Sequence, residues 1–500
     1  MRRTYRSLCL QLLPLAAVVG LLIFMQFRPR PAPTPEQLLR SPDVDKRREI
    51  VEALGRNGPA AAPALVAALQ DKDAVVQRLA TRALTQLGPA AAPELTAALQ
   101  HPSRPVRFRA ACLLNQIDAT NAVAIPVLID GFQDGTLHRD AVAALVRSGP
   151  PAVEPLAAAL MHAHAGVRLG AAATLRELGP AARPAVPALT VALNDRQRDV
   201  REAAVRAVAA SGTAAADALV PCLRDGDAKV RAAALDALVQ AGPAAVPELT
   251  LALQHQHALV RRGAARALAQ HGQAALPAAD ALVANLQDPE PQARQEAALA
   301  AAQVAGRPEA VPVLFATLQS KDRRYEAQQA LMKCGPAGVK ALTVAVADPD
   351  EVIRGEAART LGELGDAAGS AAPALIALLD DRDRSVRREA AHALGRIGAA
   401  ADASVPALVA VLRDPWAVNR GEAAIALARF GPRGRAAVPA LVAALRDDSL
   451  DASREAAKAL VEIGAAATPA LRQALDDGDE VLRQRAREVL KQLETAAGRL

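Results

Sequence analysis

Histidine and cysteine are the residues of this sequence whose types and spacing could do chemistry, because they bind metals and act as nucleophiles. Two His-x-His pairs occur, His162 with His164 and His255 with His257. Two imidazoles could share an ion if a neighbouring segment supplied a third ligand. No such ligand is apparent and the other histidines are scattered along the chain, so we interpret the pairs as polar turn residues. We expect no metal and no other cofactor.

The cysteines offer no clear site either. Cys112, Cys222 and Cys334 are more than a hundred residues apart and lie on largely apolar segments, where a buried, inert thiol is the usual state. The sequence contains no glycine-rich phosphate loop, no Ser-His-Asp pattern and no paired-cysteine motif, although a triad assembled from distant segments would not be visible in it. We therefore predict no catalytic residues and no enzymatic activity.

Arginine shows the most regular spacing in the chain. When the sequence is aligned on the ends of its repeated segments, one column recurs at intervals of 30, 31 or 33 residues, and twelve of its fifteen positions are arginine. We call this the ladder column, and Gln77, His138 and Ser453 are its three exceptions. Its arginines are Arg47, Arg107, Arg168, Arg201, Arg231, Arg261, Arg294, Arg324, Arg354, Arg387, Arg420 and Arg483.

The elements that carry this column are helices. In residues 381–398, DRDRSVRREAAHALGRIG, the apolar residues Val386, Ala390 and Leu394 recur every four positions, which predicts an amphipathic helix. A shorter apolar segment such as PALVAALQ precedes each long one, and proline near its start suits the first turn of a helix. An acidic turn joins the two segments, and Gly-Pro often ends the longer one. The repeating unit is therefore short helix, tight turn, long helix and loop.

One such hairpin buries too little apolar surface to fold alone, so successive copies must stack and share a core. The composition agrees with this, since 51% of the residues are apolar but only 2% are aromatic. We predict an all-α fold, an α-solenoid of about fifteen helical hairpins over residues 36–500 with a polar C-terminal cap.

The N-terminal residues differ in composition from the repeats. Residues 1–7 are a short basic segment, residues 8–27 contain no charge, and residues 28–35 are a proline-rich spacer. Twenty uncharged residues are long enough to span a bilayer as one helix. The sequence thus predicts an uncleaved transmembrane signal anchor and a single-pass membrane protein. The charges on its two sides favour a solenoid on the extracytoplasmic, periplasmic side.

The repeats resemble the HEAT-like repeats of the phycobilisome-lyase type, a short bacterial variety with an acidic turn followed by VRxxAAxALxxLG. The resemblance implies that turn aspartates and the ladder arginines link successive copies, which is a structural role. Asp227 with Arg231, Asp350 with Arg354 and Asp383 with Arg387 keep that pattern of residues. The family name also keeps open a second function, that of a phycobilin-lyase-like chromophore or protein-modifying factor.

Our leading hypothesis for function is a membrane-anchored scaffold that binds proteins through the concave surface of its long helices. We expect no small-molecule ligand. Nucleic acid is less favoured, because residues beyond the first thirty carry 54 basic and 53 acidic side chains. A second column on the long helices, which we call the polar column, suits a protein-binding face. It reads Arg56, Gln86, Gln116, Arg147, Glu177, Ala210, Gln240, Gln270, Gln303, Lys333, Glu363, Arg396, Arg429, Glu462 and Gln492.

Overall fold

The structure is a computed structural model, and it describes residues 34–212, 216–318, 320–398 and 401–497. The chain divides into two compact units, residues 1–211 and residues 212–500. Within the described residues each unit consists of helices without β-strands. The predicted all-α repeat architecture is confirmed in each unit.

Short and long helices alternate through both units, and we number them in chain order. In the first unit they are α1 Pro35–Leu38, α2 Val44–Arg56, α3 Ala62–Ala68, α4 Ala74–Leu87, α5 Ala92–Ala98, α6 Arg104–Ile117, α7 Ile125–Asp130, α8 His138–Ser148, α9 Val153–Ala159, α10 Ala165–Leu178, α11 Val186–Ala192 and α12 Arg198–Ala210.

The second unit continues the alternation. Its helices are α13 Ala216–Leu219, α14 Ala228–Gln240, α15 Val246–Ala252, α16 Ala258–His271, α17 Ala279–Ala284, α18 Pro291–Ala305, α19 Val311–Thr317, α20 Arg324–Lys333, α21 Gly335–Ala345, α22 Glu351–Leu364, α23 Ala372–Ala377, α24 Arg384–Arg396, α25 Ala401–Val411, α26 Ala417–Arg429, α27 Val438–Ala444, α28 Leu450–Ile463, α29 Thr468–Ala474 and α30 Glu480–Ala497. Even numbers therefore mark the second helix of each hairpin, which we call the long helix, although α20 with 10 residues is one residue shorter than α21 and α25. Short 3₁₀ segments such as Gly88–Ala91 and Gly365–Ala371 lead into many of the short helices.

Local sequence sets where the long helices begin and end. The carboxylate of Asp383 accepts hydrogen bonds from the backbone N–H groups of Ser385 and Val386, which would otherwise lack partners at the start of α24. Gly88 ends α4 with φ at 57°, a conformation that glycine adopts without a Cβ clash. Pro89 then starts the next segment, because proline is tolerated in a first turn.

Each hairpin buries the apolar faces of both helices. In α24, Val386, Ala390 and Leu394 are at most 1% exposed, whereas Arg388 and Arg396 are exposed. The stripe predicted from the four-residue spacing is thus the buried one.

Neighbouring long helices pack side by side at close range because small residues lie between them. A Cβ placed on Gly395 of α24 would lie 2.6 Å from the Cα of Ala426 in α26, and one on Gly362 of α22 would lie 2.8 Å from the Cα of Ala393 in α24. Real Cβ atoms do not approach other atoms this closely. The glycines therefore permit a helix separation that alanine would not.

The predicted single-pass membrane location needs correction. Among the residues that the structure describes, no helix is both long enough and apolar enough to cross a bilayer. Residues 8–27, to which we assigned the anchor, lie outside the described residues, as do the basic segment and most of the spacer. The described chain begins at Thr34, which caps α1, so Pro35 of the predicted spacer is already helical.

Candidate functional site

The ladder column forms one set of contacts between successive long helices and turns. In the second unit, Arg354 donates from Nε and Nη2 to both carboxylate oxygens of Asp381, at 2.8 and 2.9 Å. Its Nη1 donates to the backbone carbonyl of Asp348 in its own turn, at 2.9 Å. One guanidinium therefore joins the turn of its own repeat to the turn of the next. A bidentate interaction between a guanidinium and a carboxylate is stronger than a single hydrogen bond.

The same bidentate ion pair recurs in both units. It joins Arg47 to Asp71, Arg168 to Asp195, Arg261 to Asp288, Arg354 to Asp381, Arg387 to Asp414 and Arg420 to Asp447.

The other six predicted ladder arginines also donate to a backbone carbonyl six residues earlier, each in its own turn. They are Arg107 to His101, Arg201 to Asp195, Arg231 to Asp225, Arg294 to Asp288, Arg324 to Leu318 and Arg483 to Asp477.

The three aspartates singled out in the sequence occupy a different position from the ladder carboxylates. Asp227, Asp350 and Asp383 each cap the N-terminus of the long helix that follows. The carboxylates that accept from ladder arginines are the first acids of the turns, 24 or 27 residues after the arginine. The last residue of the turn lies next to the free backbone N–H groups of the helix, so its carboxylate bonds to them instead.

Electrostatics favour the charged form of the ladder carboxylates at neutral pH. The hydrogen bond from Arg420 holds the pKa of Asp447 below its usual value, although burial acts in the opposite direction. The same balance, led by the hydrogen bond from Arg261, lowers the pKa of Asp288. Groups with these properties are suited to holding repeats together rather than to exchanging protons at neutral pH.

Three turns carry a histidine where the others carry the first acid. His101, His162 and His255 each use Nδ1 to accept the backbone N–H two residues further on, at 3.0 to 3.1 Å. Each Nδ1 thus takes the place of the carboxylate oxygen that accepts this hydrogen bond in an ordinary turn. Burial, together with His257, Arg224 and Arg261, lowers the pKa of His255.

Metal binding and thiol chemistry receive no support in the described part of the chain. No group of three or more His, Cys, Asp or Glu side chains there is arranged to hold a metal ion. Burial raises the pKa of the Cys112 thiol to about 12 and that of Cys334 to about 11. These thiols stay protonated at neutral pH and are poor nucleophiles.

The polar column occupies the solvent-facing side of the long helices. Its fourteen polar members are all exposed, and the remaining member, Ala210, is half-buried. Because each lies near the C-terminal end of its long helix, the column presents one polar side chain per repeat.

A third column on the same helices was missed by sequence reasoning. Six consecutive repeats carry a glutamate two residues after the ladder position: Glu296, Glu326, Glu356, Glu389, Glu422 and Glu455. Each contacts a basic side chain: Arg323 for the first two, then Arg359, Arg388, His392 and Lys458. An alignment of the repeats on the ladder position shows this column, but only the contacts reveal that each glutamate has a basic neighbour.

Two clefts open on this face where members of the polar column line them. In the second unit a cleft of about 370 Å³ lies among α16, α18 and α20 and includes Gln270, Gln303 and Lys333. In the first unit a cleft of about 430 Å³ lies between α6 and α8 and includes Gln116 and Arg147. Both clefts adjoin a long helix that begins only at its ladder position, α20 at Arg324 and α8 at His138. Other long helices begin about one turn before their ladder position, as α22 does, which starts at Glu351 ahead of Arg354.

Comparison with solved structures shows the fold class. The chain is similar to importin beta crystallised in a polyethylene glycol condition, with 12% identity, a TM-score of 0.51, and coverage of 92% of this chain and 79% of that chain. Importin beta in an ammonium sulfate condition is similar with 13% identity, a TM-score of 0.45 and coverage of 92% and 82%. The karyopherin Kap121p bound to the extreme C-terminus of the protein phosphatase Cdc14p is similar with 13% identity, a TM-score of 0.34 and coverage of 92% and 71%. At these identities the likeness concerns the helical-repeat fold alone.

Comparison with protein-family models identifies the family of the chain. No curated protein matches it. The model of HEAT repeats matches residues 32–111, 62–146, 153–239, 216–288, 339–428 and 405–491, which together cover well over half of the chain. The chain belongs to the HEAT-repeat family.

Proposed function

We propose that this protein is a non-enzymatic interaction scaffold that binds other proteins through the exposed face of its long helices. We further propose that its repeats are of the short phycobilisome-lyase type and that the ladder column is structural. The division of the long helix into a buried stripe, a ladder position and an exposed end supports this assignment.

The observation that carries the proposal is the exposure of all fourteen polar members of the polar column. None of them is needed to fill the core, and the long helices that hold them are packed within their units. A rigid backbone loses little freedom on binding, so side chains presented on it suit recognition of a partner.

The charge on this face favours a protein partner over nucleic acid. The glutamate column is paired with basic side chains across six repeats, so neither sign of charge dominates there. Nucleic-acid binding requires a sustained excess of basic groups, whereas mixed charge with exposed arginines and amides is typical of protein interfaces.

A site-specific photo-crosslinking experiment tests the proposal in the full chain. A photoreactive amino acid at Gln240, Glu363 or Arg429 of the polar column is expected to give discrete protein adducts in cells of the native host. The same amino acid at Val191, Leu251 or Val344 is the matched control, since these residues are 54 to 64% exposed on short helices. Adducts of equal yield from both sets, or none from the polar column, would contradict the proposed face.

A further inference from the structure

We infer that the cleft among α16, α18 and α20 binds an extended peptide segment that carries an acidic side chain. This inference rests on the proposed protein-binding role and adds to it the place and the chemistry of the bound segment. The cleft is lined by charged groups, amides and one aromatic ring, including Arg266, Gln270, Tyr325 and Lys333.

The two carboxylates of the cleft share Arg323 as their closest cation. Arg323 forms a bidentate pair with Glu296, at 3.0 and 3.0 Å. The same guanidinium also donates to Glu326, at 2.9 and 2.7 Å. The Glu296 side chain is only 5% exposed, so it is held in the wall of the cleft and is not available to a ligand.

Positive charge is left over once these pairs are formed. The lining holds three cations, Arg266, Arg323 and Lys333, against the two glutamates. Arg266 is 53% exposed and comes no closer than 3.8 Å to Glu296. Lys333 is exposed at the end of α20. A ligand that brings one carboxylate into the cleft, beside either Arg266 or Lys333, therefore neutralises the surplus charge.

The remaining lining residues suit a peptide in an extended conformation. Gln270 and Gln303 lie on consecutive long helices, which pack about 8–10 Å apart. Three residues of an extended peptide span about the same distance, at roughly 3.3 Å each. A side-chain amide both donates and accepts, so it matches the N–H and C=O of a peptide group.

An exposed aromatic ring completes the site. Tyr325 is 66% exposed on α20, and nothing in the core requires it there. Tyrosine and arginine are enriched among the residues that dominate binding at protein interfaces. A nucleic acid is less well matched, because one ring and one surplus charge offer little to a phosphate backbone.

Two synthetic peptide pools test the inference with the full chain. Both are capped ten-residue pools, random except for a fixed central Glu in one and a fixed central Lys in the other. We expect the Glu pool to be enriched on the protein. Individual peptides from it should bind about tenfold more weakly to Lys333→Glu and to Tyr325→Ala. Lys333→Arg should retain binding, since the charge is kept.

Matched controls separate a local loss from a general one. Lys340→Glu reverses an exposed lysine on α21, and Trp416→Ala removes an aromatic residue that is 48% exposed outside the cleft; both should bind as the parent does. Preference for the Lys pool, tighter binding of a random single-stranded RNA, or equal effects of Lys333→Glu and Lys340→Glu would overturn the inference. If peptides bind but lose affinity only on Arg429→Glu, the cleft is excluded and the broader scaffold role stands. Absence of polar-column adducts refutes the scaffold role itself.

Discussion

Asp381 and Asp383 lie two residues apart in one turn and have different partners. Asp381 accepts the bidentate pair from Arg354 of the preceding repeat, whereas Asp383 caps α24. The resemblance to the phycobilisome-lyase type of repeat implied that aspartates and arginines link the repeats, but the aspartates singled out from the sequence are the capping ones. Spacing along the chain cannot separate the two positions, because only the folded turn shows which carboxylate faces the helix N–H groups.

Removing a ladder arginine should destabilise the second unit. Arg387→Ala leaves the carboxylate of Asp414, which is 5% exposed, without its cation, and we expect a loss of about 2–3 kcal/mol in the free energy of unfolding. Arg388→Ala is the control, since that side chain is 46% exposed and pairs at the surface; its effect should be under about 0.5 kcal/mol. Urea unfolding checks both, and equal effects would show that the ladder pair does not stabilise the fold.

A ladder ion pair can be introduced at His255. Arg231 and His255 are separated as Arg47 and Asp71 are, by 24 residues. His255→Asp should keep the turn hydrogen bond and give Arg231 a carboxylate, which we expect to raise the free energy of unfolding by about 1 kcal/mol at pH 7. The urea midpoint measures the gain. His255→Asn offers the same acceptor without charge, so an identical midpoint for both variants would mean that no ion pair forms.

The lowered pKa of His255 also predicts how stability depends on pH. Burial and nearby positive groups lower the pKa of folded His255 below its usual value. The unfolded chain therefore takes up a proton first as the pH falls below about 6.5, and stability is lost from there downward. Urea midpoints between pH 7.5 and 5 should fall less steeply for His255→Asn than for the parent chain. Parallel curves would exclude His255 as a source of the pH dependence.

At the scale of the helix, glycine sets how closely neighbours pack. The sequence predicted the hairpins and the buried stripe well, because a four-residue period and a capping turn are local signals. It did not distinguish Gly395, whose Cβ would meet Ala426, from Gly355, whose Cβ would meet nothing closer than 3.8 Å. It also gave no sign that α20, which adjoins the cleft, begins only at its ladder position. Such features depend on the neighbouring helix rather than on the helix itself.

Replacing Gly395 or Gly355 by alanine should therefore have opposite effects on the free energy of unfolding. Gly395→Ala should lower the free energy of unfolding by about 1–3 kcal/mol, since it forces α24 and α26 apart. Gly355→Ala should raise it by about 0.5–1 kcal/mol, because alanine favours the helix and fits the space. Thermal and urea unfolding of the two variants provide the measurement. A stabilising Gly395→Ala would show that the helices are not held at this distance.

At the scale of the whole molecule, two sets of residues on the long helices have different surroundings. The ladder arginines join one turn to the next in six of the described repeats, whereas the polar column at the ends of the long helices is exposed. The family could be predicted from the sequence because the same pattern recurs in fifteen copies, and positions shared by the copies stand out when they are aligned. The partner is not accessible in that way, since exposed positions vary from copy to copy without a structural rule.

Two alanine variants of α26, Arg420→Ala and Arg429→Ala, test this division most directly. The quantity to measure is the yield of partner adducts per folded molecule. Arg420 belongs to the ladder and pairs with Asp447, whereas Arg429 is an exposed member of the polar column. With a photoreactive amino acid at Glu462, Arg429→Ala should reduce the adduct yield and leave the urea midpoint unchanged. Arg420→Ala should lower the midpoint but give the parent yield from molecules that remain folded. A full adduct yield from Arg429→Ala, with a loss confined to Arg420→Ala, would contradict the account.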